Sequence, residues 1–112
     1  MNYVTQTNNN CLESCIATLL NISIESIPNF GEVGWLDQMN QWLETNYGLT
    51  TYVDYFDIVL NNVFYICVGK TYRNNKYHSC IYYNGKLHWD PHESRSGLIK
   101  EVYNIWFIKT FK

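Results

Sequence analysis

Residues 77–92, YHSCIYYNGKLHWDPH, are two short runs of aromatic and β-branched residues hinged at Asn84-Gly85. Asn-Gly between such runs is a strong hairpin signal, because both central residues of the tight turn need a positive φ. An antiparallel hairpin brings its open ends together, so His78 and Asp90 are expected side by side. Two registers compete. With a two-residue turn, Tyr83 faces Lys86, Asp90 lies opposite Ser79, and the carboxylate points away from the imidazole. With a three-residue loop over 83–85 and Gly85 left-handed, His78 lies opposite Asp90 and Ile81 opposite Leu87. Trp89 then joins the apolar side, and His78, Cys80, His88 and Asp90 share the other face. The patterning favours the second register. It predicts a positive φ at Gly85 and a carboxylate oxygen about 2.6–3.2 Å from a His78 ring nitrogen.

Outward from the hairpin, the C-terminal half keeps the same texture. LTTYVDYF, VFYICVG and EVYNIWFIKTF read as further strands, with turns at YRNNKY and YNGK. The N-terminal half reads as helix. Leu12, Cys15, Ile16, Leu19 and Leu20 recur at three- and four-residue spacing and predict a helix over 11–20. Pro28 stops any continuation. Trp35, Leu36, Met39, Trp42 and Leu43 predict a second helix over 33–46, with Gly48 just past its end. Its two tryptophans read as core rather than as the wall of a groove. Helices followed by an antiparallel sheet make an α+β chain, read as a single domain over 1–112.

Within NNNCLESCIATLL, residues 8–20, the two cysteines differ in position. Asn9 and Asn10 suit an N-cap, which places Cys11 in the first turn, off the apolar stripe, while Cys15 sits on it. A thiol attacks well only as a thiolate, and a helix N-terminus and a nearby imidazolium both lower its pKa. Cys11 has the first by position, and the hairpin offers His78 as the second with Asp90 to orient it. The Cys11 backbone N–H and the Gln6 side-chain amide are candidate donors to an oxyanion. Cys15, Cys67 and Cys80 read as small core residues. His88 and His92 read as surface or hydrogen-bonded structural groups.

Composition narrows the alternatives. The 112-residue chain is 46% hydrophobic and 17% aromatic, which excludes a disordered segment. A net charge of −2 without a basic stripe argues against nucleic acid as a partner. Its apolar runs are too short for a membrane span. MNYVTQTNNN has neither a positive nor an apolar leader region. A cytoplasmic protein with four reduced thiols is therefore expected.

QTNNNCLESCIATLL, then IESIPNF, then HSCIYYNGKLHWDPH resembles the small papain-like cysteine peptidase fold. The nearest pattern is that of stand-alone bacterial and bacteriophage domains related to the bacteriocin-processing peptidases. The match covers most of the chain except about 47–76. The resemblance implies Cys11 as nucleophile, His78 as base, Asp90 as its orienter and Gln6 in the oxyanion hole. It implies no cofactor and a peptide, protein or small amide as substrate. Leu12 stands where the bacteriocin-processing enzymes usually have glycine, so their preference for a double-glycine leader is not carried over.

Other readings stay open at this level. Cys11, Cys15, His78 and Cys80 offer four ligands for a structural zinc. His88, Asp90 and His92 offer three for a catalytic metal. A papain-like scaffold that only binds a host protein or small molecule is the non-enzymatic alternative.

Overall fold

The structure is a computed structural model that describes residues 1–55 and 61–110. The described residues form an α+β chain. It consists of helix α1 (Cys11–Leu20), a 3-10 turn at Ile24–Ser26, helix α2 (Trp35–Tyr47) and a five-stranded antiparallel sheet. The strands are β1 (Leu49–Asp54), β2 (Phe64–Lys70), β3 (Tyr77–Tyr83), β4 (Lys86–Trp89) and β5 (Lys100–Lys109), in spatial order β1-β5-β2-β3-β4. The expected strands LTTYVDYF and EVYNIWFIKTF each end on a residue, Phe56 and Phe111, outside the described residues.

The first helix has the predicted bounds, but its burial exceeds one stripe. Every residue from Glu13 to Thr18 is buried. The polar ones stay satisfied locally. Ser14 Oγ donates to Asn10 O at 2.9 Å, Thr18 Oγ1 donates to Ser14 O at 2.9 Å and accepts from Val4 N–H at 3.0 Å, and Glu13 Oε2 accepts from Phe30 N–H at 3.4 Å. The N-terminal segment and the loop at Phe30 therefore close over α1. Asn21, with φ 56°, ends the helix by donating its N–H to Ala17 O. The second helix starts at Trp35, later than predicted, because Gly34 adopts φ 71° and breaks the helical path before it.

Both helices lie on one face of the sheet. Ile16, Met39, Leu43, Ile66, Ile81 and Ile105 are fully buried in the core between them. A smaller cluster of Tyr65, Cys67, Cys80 and Tyr82 occupies the opposite face, where Leu98 packs against it. Among the described residues, no helix is long and apolar enough to cross a membrane.

The hairpin register corrects both sequence-based alternatives. Tyr83 faces Lys86, so the turn is the two-residue Asn84-Gly85, with φ 52° and 77°. The positive φ at Gly85 is as predicted; the three-residue loop is not. Tyr82 pairs with Leu87 but Ile81 pairs with Trp89, which leaves His88 as the extra residue of a bulge. That extra residue reverses the alternation. One step beyond the Ile81–Trp89 pair, Asp90 returns to the side carrying His78 and Cys80. His88 does not share that side. It hydrogen-bonds Tyr3 Oη at 2.7 Å, and both His88 and Trp89 pack against the Tyr3 ring.

Candidate active site

Three elements deliver the candidate residues. Cys11 opens α1, His78 lies near the start of β3, and Asp90 follows the end of β4. Asn10 precedes Cys11 as N-cap, but its side chain does not cap the helix. Instead its Oδ1 accepts from Thr7 N–H at 2.8 Å, folding the segment before the cysteine into a tight turn. Cys11 is the first residue of α1, at the positive end of the helix dipole.

His78 Nε2 lies 2.6 Å from Asp90 Oδ1, and both residues are buried. Asp90 is held from other directions too. His92 N–H donates to Oδ1 at 2.9 Å, and Gly97 N–H donates to Oδ2 at 2.8 Å. Burial works against the Asp90 charge, but these three donors outweigh it and hold the carboxyl down at about 2. Since Nε2 is engaged by Asp90, the other ring nitrogen is the one left for Cys11, which lines the same cleft as His78 and Ser79. Burial opposes the His78 charge, yet Asp90 and Cys11 together push it up to about 9. Burial likewise opposes the Cys11 thiolate, but hydrogen bonds from His78 and Ser79 and the imidazolium charge bring the thiol below its ordinary value. The imidazolium and the thiolate therefore stabilise each other.

The remaining cysteines behave as small core residues. None of the four is disulfide-bonded among the described residues. Cys15 is fully buried and donates its S–H to Ser79 O at 3.5 Å, and burial raises its pKa well above the ordinary value. Burial, reinforced by Asp90, pushes Cys80 up as well.

Neither proposed ligand set converges. Among the described residues the only group of three or more potential metal ligands comprises His78, Cys80 and Asp90, with ligand atoms within 4.8 Å of one another. Cys11 and Cys15 are not in it, and Cys15 lies in the core. His88 is on the other side of the sheet from Asp90 because of the bulge, and His92 Nδ1 is occupied by Ser94 at 2.9 Å.

The thiol opens into a cleft of about 890 Å³, lined by Gln6, Cys11, Trp35, His78, His92 and Tyr103 among others. Gln6 lines the same cleft as Cys11; its N–H donates to Pro91 O at 2.8 Å, and its Oε1 is buried with no hydrogen-bond partner among the described residues. Trp35, read as core, serves both: it packs on the core and forms part of the cleft wall.

One organising residue escaped the sequence reading. Arg95 donates to the carbonyls of Asp90, Pro91 and His92 at 3.2, 3.2 and 2.6 Å, and to Thr5 Oγ1 at 2.7 Å. Its guanidinium also stacks on Trp89, 4.1 Å from the ring centroid. One side chain thus ties the segment carrying Gln6 to the corner carrying Asp90. Nothing in its local sequence, ESRSG, marks it, since three of its partners are backbone carbonyls and Thr5 is distant in sequence.

No protein-family model, curated protein or solved structure matches this chain.

Proposed function

We propose that the chain is a papain-like cysteine hydrolase acting on a peptide or other amide or thioester through Cys11, His78 and Asp90. The observation that carries this reading is the 2.6 Å His78–Asp90 contact, with Cys11 opening a helix in the cleft that His78 also lines. A structural thiol needs neither the imidazole nor the oriented carboxylate.

In the reaction, the Cys11 thiolate attacks the substrate carbonyl carbon and the carbonyl π electrons move to oxygen. The Cys11 backbone N–H and the Gln6 amide receive the resulting oxyanion. Imidazolium His78 gives its proton to the leaving amine as the C–N bond breaks, leaving a thioester on Cys11. Water then enters, gives a proton to His78 and attacks the thioester; the acid departs, and the proton left on His78 restores the ion pair with Cys11. An amine replacing water would give acyl transfer by the same steps. Asp90 keeps the ring oriented throughout and stabilises its charged form.

The test is covalent labelling with activity-based probes bearing peptide, isopeptide and small-amide recognition elements. The proposal expects at least one to label the wild type and none to label Cys11→Ala. Equal labelling of the two proteins would overturn it.

A further inference from the structure

His92 has a defined tautomer. Ser94 N–H points at His92 Nδ1 over 3.1 Å, and a backbone N–H can only donate. Nδ1 is therefore an acceptor, and in the neutral ring the hydrogen sits on Nε2. The Ser94 hydroxyl, 2.9 Å from Nδ1, then shares the same lone pair as a bifurcated second donor. Ser94 Oγ is itself supported by Ser96 Oγ at 2.9 Å and by Arg73 Nη1 at 3.3 Å, which also reaches Ser96. This chain fixes the ring, and Nε2–H on its far side has no hydrogen-bond partner among the described residues. The half-buried ring lines the cleft and stands perpendicular to His78, with centroids 6.3 Å apart.

The location decides what the donor meets. A leaving amine must receive its proton from His78, so the leaving-group half of any substrate lies on the His78 side of the scissile bond. We propose that His92 binds that half, its Nε2–H donating to a carbonyl oxygen carried by the leaving amine. The preferred substrates are then amides whose leaving amine is itself an amino-acid unit, rather than simple alkylamides. This inference rests on the acyl-transfer reading of Cys11.

The incoming amine of an aminolysis takes the place of the leaving amine, so it reports on the same contact. Acetyl-enzyme is formed with p-nitrophenyl acetate, and its partition between glycinamide, which carries a carbonyl, and ethylamine, which does not, is measured. His92→Phe is expected to lower the glycinamide-to-ethylamine ratio roughly three- to tenfold, the worth of one neutral hydrogen bond. His92→Gln, which keeps an N–H donor, is expected to recover part of it. The His92 backbone N–H on Asp90 survives both substitutions. Nitrogen-15 shifts of the wild-type imidazole give a second readout, expected to report the Nε2–H form. Acetylation of Cys11 with an unchanged ratio in His92→Phe, or an Nδ1–H ring, would overturn this inference alone. Failure to acetylate Cys11 at all would overturn it together with the acyl-transfer reading.

Discussion

His78 and Asp90 meet at 2.6 Å without being partners across the β3–β4 ladder. The bulge at His88 places Asp90 next to Cys80, so the imidazole reaches the carboxylate diagonally, along one face of the sheet. Two backbone N–H groups fix the carboxylate from outside the ladder, which lets the contact survive this offset.

Asp90→Asn should expose how completely that carboxylate is used. Oδ1 accepts from His78 and from His92 N–H, and Oδ2 accepts from Gly97 N–H. An amide must turn its NH₂ against one of these donors. The expected outcome is a loss of roughly 1–3 kcal/mol in chemical denaturation. The rate of acylation at Cys11 should fall by about 10²–10⁴, because the imidazolium loses its counter-charge. A neutral effect on both would remove Asp90 from the site.

Stability should depend on pH in a window set by the same pair. Folding raises His78 from 6.5 to about 9, so its contribution is complete below pH 6.5 and is lost as pH rises through 9. Folding lowers Asp90 from 3.8 to about 2, so its contribution is complete above pH 3.8 and is lost as pH falls through 2. Both act fully between about pH 4 and 6.5. Urea midpoints measured across pH should show His78→Ala flattening the alkaline limb and Asp90→Asn flattening the acid limb.

Gly69 tests the sheet that carries β3. A Cβ at this position would stand 2.0 Å from Lys100 O and 2.9 Å from Lys100 C, both backbone atoms that move only with β5. The β2–β5 register also shifts between Val68 and Gly69. Gly69→Ala should lose roughly 1–3 kcal/mol in urea denaturation, while Gly31→Ala, with open space around its Cβ but φ 73°, should lose about 1 kcal/mol through strain alone.

The sequence was informative where a side chain's own chemistry or spacing set the structure. The stripe from Leu12 to Leu20 located α1, and Asn84-Gly85 located the hairpin. The meeting of His78 with Asp90 was expected only from the three-residue loop; the structure has the two-residue turn and reaches the contact through the bulge instead. Its bulge residue, His88, is an ordinary strand residue in pattern, held out of the ladder by Tyr3 and the ring of Phe64, which are distant in sequence. Arg95 was illegible for a related reason: most of its partners are main-chain carbonyls, which leave no periodic trace.

Residue-resolved alkylation by iodoacetamide at neutral pH, in the wild type and in His78→Ala, tests the central claim most directly. A brief pulse read by peptide mass spectrometry should modify Cys11 first, with Cys15, Cys67 and Cys80 protected by burial. Removing the imidazole should slow Cys11 by about tenfold, since an ordinary thiol is only a few per cent ionised at pH 7. Modification of Cys67 or Cys80 ahead of Cys11, or a Cys11 rate indifferent to His78, would contradict it.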